Sequence, residues 1–208
     1  MRKSIAFGNK EVYIIRKRYY QMRVYKMQIT AYHGTDLKIA HNICNTGFKI
    51  GYNEKHWLGN GVYFFIDYDL ADWWTSNPSK TFGSLITQPS ILQVEIDCPE
   101  NEILDLRSLN NYREFTQIYI DDFLPDVYKG VFDFSYKDSQ KLRCAFCDYL
   151  FEEYHLSGII GNFHTPWQSY LPSGYHNIRK KLNLYYIETQ LCLFDTSKII
   201  KKTILQTR

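Results

Sequence analysis

Residues 31–48, AYHGTDLKIAHNICNTGF, followed at residues 57–65 by WLGNGVYFF, decide how this chain is read. Tyr32-His33-Gly34-Thr35 stands between a strand-like run, RVYKMQITAY, and a segment that places Leu37, Ala40, Ile43 and Cys44 at helical spacing until Gly47 stops it. After a short loop, Gly59-Asn60-Gly61 permits a tight turn, and GVYFFI reads as another strand with Tyr63 and Phe65 on one face. A histidine buried only for its bulk needs no such setting. At a strand end its imidazole can donate to a ribose hydroxyl, while Gly34, without a side chain, lets its backbone N–H and C=O approach a planar carboxamide. Those are the groups that nicotinamide and its ribose present, and the ring of Tyr63 can stack on the nicotinamide.

The remaining elements read as α+β rather than as regular βαβ alternation. DLADWWTSN is expected to be a helix ending at Asn77-Pro78, and SQKLRCAFCDYLFEEYH an amphipathic helix. Further strands are expected at EVYIIR, SILQVEI, SGIIGNF, NLYYIETQLCLF and IIKKTIL. The stretch from Asn110 to Glu153 is mostly helical in pattern, with FLPDVYKGVFDFSY interrupting it. No repeat and no Gly/Ser-rich or Pro-rich linker divides the 208 residues. The reading is therefore one domain over residues 29–208, with residues 1–28 as a basic extension or further strands of that domain.

Charge is uneven along the chain. Met1–Gln28 carries +7, Ile29–His176 carries −9 and Asn177–Arg208 carries +5, although the whole chain is only +3. Such asymmetry can steer polyanions toward the basic ends. RKRYYQMRVYK interleaves five Arg or Lys with three Tyr, a pattern that offers phosphate contacts and stacking faces to single-stranded nucleic acid, or equally a strand with alternating exposed charges. No apolar run approaches the roughly 20 residues of a membrane span, and no signal-peptide core follows Arg2, Lys3 and Lys10, so a cytoplasmic protein with no membrane partner is expected. Five cysteines at irregular spacing argue against a disulfide framework. Cys144 and Cys147 form a CxxC inside a helix with no second pair to complete a zinc site, so no metal is expected.

The ordered set HGT, GVYF and an Ala-Trp helix resembles the ADP-ribosyltransferase fold of diphtheria toxin and the poly(ADP-ribose) polymerases. The resemblance covers about Tyr32 to Asp195. It implies two packed, mostly antiparallel sheets around an NAD cleft with flanking helices, and NAD as co-substrate. His33 matches the family histidine that holds the adenine-side ribose, Tyr63 the tyrosine that packs on the nicotinamide, and Ala71, Trp73 and Trp74 the helix behind it. By the same resemblance Gly34, Thr35 and Trp74 complete the NAD contacts. Gln190 in YYIETQLCLFD stands where the family's catalytic glutamate begins its strand. A glutamine can bond the ribose 2′-hydroxyl but supplies neither charge nor a base, and Glu188, two residues earlier on the same face, can supply both. The E-x-Q pair resembles the E-x-E and Q-x-E signatures of toxin-type members, and histidine-tyrosine-glutamine versions occur among bacterial relatives of the fold. Single transfer rather than polymer formation is expected.

GNFHTPWQSYLPSGYHNIRKK precedes the last motif strand, where this family usually places the loop that recognises its target. His164, Trp167, Tyr170, Tyr175, His176 and Arg179 can stack on and hydrogen-bond a nucleobase, or grip a protein. With the basic ends, they tilt the acceptor toward nucleic acid, RNA or a single-stranded DNA base, with a protein side chain as the alternative. A small transferase with no obvious regulatory domain looks like a toxin of toxin–antitoxin or phage-defence systems, which implies an antitoxin partner. Two other readings stand beside it: an RNA 2′-phosphotransferase-like enzyme, which shares the fold but needs arginines not found near GVYFF, and a non-catalytic NAD- or RNA-binding module.

Overall fold

The computed structural model describes residues 25–76, 86–131, 138–163, 174, 181–182 and 186–205. The expected strand at Glu11–Arg16, the basic RKRYYQMRVYK stretch up to Val24 and most of the segment after Phe163 lie outside the described residues. Among the described residues no helix is long and apolar enough to cross a membrane.

The architecture is α+β. Strand β1 spans Lys26–Asp36, α1 Leu37–Thr46, β2 Val62–Phe65, α2 Tyr68–Ser76, β3 Pro89–Pro99 and β4 Ile103–Asp105. Then come α3 Leu109–Ile118, a π-helical turn Tyr119–Phe123, α4 Leu124–Tyr128, α5 Ser139–Tyr154, β5 Gly158–Phe163, β6 Glu188–Leu193 and β7 Ile199–Leu205. These seven strands form one mixed sheet in the order β4-β5-β6-β2-β1-β3-β7, with only β4 and β5 parallel among the paired strands. Hydrogen bonding thus links in one sheet what the resemblance divides into two.

The link is narrow. β1 pairs with β3 at every residue from Lys26 to Asp36, whereas its pairing with β2 consists of one bridge, Tyr32 opposite Phe65. Ala31, Val94 and Ile96 on one side of that bridge and Val62, Phe64, Ile160, Leu191 and Leu193 on the other bury their side chains in one cluster. A second cluster covers the opposite face of β5, β6 and β2. There Phe123, Phe146, Cys147 and Leu150 from the helices pack on Leu104, Ile159 and Cys192. Each Val, Leu, Ile or Phe side chain so removed from water contributes about 1.5–3 kcal/mol.

Two boundaries differ from the sequence reading. The HGT motif does not lie between strand and helix: β1 runs on through His33, Gly34 and Thr35 to Asp36, because β3 pairs with it as far as Pro89. Asp36 then caps α1, its carboxylate accepting from the backbone N–H groups of Lys38, Thr87 and Gln88 and from the Thr87 hydroxyl. These donors hold its pKa far below the ordinary carboxylate range. Nor does Phe123–Tyr128 interrupt the helical stretch. Pro125 sits in the first turn of α4, where its missing N–H costs little, and the π turn before it carries the chain across. The helix ends at Tyr128, and the break expected in this stretch begins there, with Gly130 at φ +73°.

Candidate active site

His33 sits where β1 and β2 part. Beyond the Tyr32–Phe65 bridge the two strands diverge, and the His33 imidazole takes up the gap with Nδ1 2.9 Å from the Tyr63 carbonyl oxygen. A carbonyl only accepts, so Nδ1 carries the hydrogen. The ring lies edge-on to Phe48 and Phe64, with centroids 5.3 and 5.8 Å away. Burial lowers its pKa and outweighs the opposing effect of the Tyr63 carbonyl, so the imidazole is neutral near pH 7. Nε2 is then an acceptor. The donor role expected of His33 toward a ribose hydroxyl is reversed: the hydroxyl would donate to Nε2.

Gly34 is demanded by packing. A Cβ there would stand 2.7 Å from the Ala71 carbonyl oxygen, 2.7 Å from Thr75 Cγ2 and 3.3 Å from Trp74 Cδ1, so α2 lies directly on β1 at this point. The side a side chain would occupy is therefore closed, and any ligand contact must use the backbone edge that faces β2. Thr35, opposite Ser90 of β3, is buried. Trp74 packs beside Phe65 at 6.1 Å between ring centroids.

Tyr63 is held by the loop that precedes it. Its hydroxyl donates to the Gly59 carbonyl (3.0 Å) and accepts from the Leu58 N–H (2.6 Å), and its ring lies 5.5 Å from that of His56. Burial raises its pKa beyond the range in which it ionises. The loop is in turn bound to α5. Asp148 accepts from the backbone N–H and the side-chain amide of Asn60, both at 2.6 Å, and the Asn60 side-chain Oδ1 accepts from the Asn53 N–H at 2.8 Å. Gly59 and Gly61 allow this approach, since a Cβ at either would meet Cys147 or Cys192 within 3 Å.

Strand β6 runs antiparallel beside β2, with Gln190 opposite Phe65 and Cys192 opposite Tyr63. Cross-strand partners share a face, so Tyr63, Phe65, Gln190 and, two residues further, Glu188 all face one way. Tyr63 and Gln190 are diagonal neighbours, roughly 7–8 Å apart at the backbone. Glu188 opens the strand and is 7% exposed, and Gln190 Nε2 donates to its Oε1. That bond turns the Gln190 amide so that its oxygen points away from Glu188. Opposite Glu188 on β5 is Phe163.

The structure thus brings His33 to the Tyr63 backbone, and Tyr63, Glu188 and Gln190 to one face; the His33 ring itself lies against Phe64, on the other face of β2. Trp167, Tyr170, Tyr175 and Arg179, with His164 and His176, lie outside the described residues. Among the described residues no group of three or more His, Cys, Asp or Glu side chains is placed to hold a metal. Cys144 and Cys147 are buried in α5 with their thiol pKa values raised. Sequence reading missed Asp148, which sits in an amphipathic pattern indistinguishable from any exposed helical acid. The Gly-Asn-Gly around Asn60 was the available signal that something must grip that loop.

No protein-family model matches the chain. A stretch of 94 residues is 31% identical to an uncharacterized protein of Methanocaldococcus jannaschii, MJ0359. The match covers 45% of this chain and 44% of the relative, so the chain spans less than half the length of that protein.

Proposed function

We propose that the chain is an NAD-dependent mono-ADP-ribosyltransferase, releasing nicotinamide and passing ADP-ribose to a macromolecule. The observation that carries this is the placing of β6 beside β2, which sets Glu188 and Gln190 on the face of Tyr63 while His33 bonds the Tyr63 carbonyl. The near-division of the sheet at the Tyr32–Phe65 bridge, with a shared core cluster between its halves, supports the two-sheet ADP-ribosyltransferase arrangement and a cleft where β1 and β2 part.

In this reading Nε2 of His33 accepts a hydrogen bond from the adenine-side ribose, and the backbone edge of Gly34 that faces β2 meets the carboxamide. Tyr63 provides the aromatic wall for nicotinamide, and Trp74 of α2 packs beside Phe65 on the same face. The C1′–N bond breaks with its electron pair leaving on nicotinamide, and the Glu188 carboxylate stabilises the oxocarbenium-like charge. The Gln190 amide oxygen accepts from the 2′-hydroxyl. The acceptor then bonds to C1′ and gives its proton to Glu188. A role as an intracellular toxin, acting in the cytoplasm and held in check by a neutralising protein, follows from the resemblance alone.

Incubation with labelled NAD and lysate, reading nicotinamide release and label transfer, tests the proposal. Wild-type protein is expected to do both, and Glu188→Gln to lose roughly 10²–10³-fold in turnover. Label lost to nuclease identifies a nucleic-acid acceptor, and label lost to protease a protein. Activity that survives both His33→Ala and Tyr63→Ala refutes the assignment, and wild-type protein that binds NAD without releasing nicotinamide is a binding module.

A further inference from the structure

Next to the Glu188 end of the face described above is a group that the proposed chemistry leaves unused. Phe163, the cross-strand partner of Glu188, holds its ring 4.9 Å from that of Trp57 at an interplanar angle of 83°. Trp57 is 47% exposed, a large indole left in water at the tip of the loop that positions Tyr63. Arg143 of α5 places its guanidinium carbon 5.0 Å from the Trp57 ring centroid. Its Nε is buried without a hydrogen-bond partner, and no carboxylate among the described residues pairs with it. The acids nearest to it in the chain and the loop are otherwise engaged: Glu54 pairs with Lys141 at 2.7 Å, and Asp148 holds Asn60.

A buried guanidinium nitrogen without an acceptor costs free energy, and an exposed indole beside it forgoes burial. The indole and the guanidinium suit one ligand class, an anion carrying a planar ring, which would meet the guanidinium through its terminal nitrogens and not through the buried Nε. We propose that Trp57 and Arg143 form a docking platform for one nucleotide of a single-stranded nucleic acid, its base against the indole and its phosphate against the guanidinium. Stacking on an aromatic ring and pairing of arginine with phosphate are the two interactions on which single-strand binding is built. The placing beside Phe163 and Glu188 puts this nucleotide at the acceptor end of the cleft, away from His33. The inference rests on the transferase reading for that role, but the platform itself is testable without it.

The test is fluorescence anisotropy with labelled single-stranded RNA and DNA of about eight nucleotides, a length within the usual site size. A parallel titration with ADP-ribose is run for wild type, Trp57→Ala, Trp57→Phe, Arg143→Ala and, as a control on the far side of the fold, His41→Ala. Trp57→Ala is expected to weaken oligonucleotide binding roughly five- to hundredfold, the effect of one lost base stack, and Trp57→Phe to restore most of it. Arg143→Ala is expected to reduce the salt dependence by about one phosphate contact, a change in slope of ~0.7. Wild-type protein that binds no oligonucleotide, or variants that bind it as wild type does, overturn the platform and leave a protein acceptor. A loss as large for ADP-ribose as for oligonucleotide also overturns it, because the platform then serves the dinucleotide. Nicotinamide release by wild type without oligonucleotide is read separately, so failure of the transferase reading is told apart from failure of the platform.

Discussion

Replacing Asp148 by alanine cuts the tie between α5 and the loop that holds Tyr63. The carboxylate accepts two hydrogen bonds from Asn60, each 2.6 Å long, and bonds of this kind to a charged group contribute about 1.5–3 kcal/mol apiece. Asn60 is only partly buried, so water replaces some of what is lost, and a net cost of about 3 kcal/mol is expected. For a domain of this size that is a fall in Tm of roughly 6–12 °C. Asp148→Asn should fall between the two, since an amide oxygen can accept one Asn60 bond while its NH2 group opposes the other. Thermal unfolding followed by circular dichroism, with urea midpoints as a check, measures the loss. In a cycle with Asn60→Ala, the double variant should lose little more than Asp148→Ala alone, a coupling of about 2 kcal/mol. A Tm change below about 2 °C, or additive losses, refutes the claim that Asp148 holds this loop.

Gly34→Ala should destabilise by about 1–3 kcal/mol or more, because its Cβ would meet the Ala71 carbonyl at 2.7 Å and α2 would have to move; an unchanged urea midpoint contradicts that packing. His33, whose pKa burial lowers, stays neutral in the native state where the unfolded chain takes up a proton near pH 6.5. Its contribution is fully present above that pH and is lost as pH falls toward the native pKa, so wild type should lose more stability than His33→Gln between pH 7.5 and 5.5. A nitrogen-detected NMR titration should show the Nδ1–H tautomer and a native pKa below 6.5, and a raised value would refute it. Cys98 and Cys144, with thiol pKa values raised to about 11, and the buried Cys147 and Cys192 should alkylate slowly at pH 8. Partly exposed Cys44 should react before them, as peptide mass mapping would show.

How far the sequence could be read depends on the range of the force that shapes each feature. Periodicity and chain punctuation act within a few residues, so α1 with its stop at Gly47, α2, α5 and the strands β2, β3, β5 and β7 were legible. The ordered motifs at His33, Tyr63 and Glu188–Gln190 were legible too, since they need only residue type and order. The extension of β1 through His33-Gly34-Thr35 was not, because only the partner β3 decides where pairing ends. Helicity through Phe123–Tyr128 depends on how Phe123 packs on Phe146 and Leu150, which no local pattern reports.

The sequence by itself determined the α+β class, the main elements and the order in which His33, Gly34, Tyr63, Glu188 and Gln190 follow one another along the chain. The tertiary structure alone decided the rest, because strand order and helix packing join residues that are far apart in the chain. It joined the strands into one sheet with a single bridge between β1 and β2, and it set β6 beside β2 so that Glu188 and Gln190 share the face of Tyr63. It turned the His33 imidazole into an acceptor by placing Nδ1 on a carbonyl. It also laid Arg143 over Trp57, 86 residues away along the chain, a pairing that no local pattern encodes.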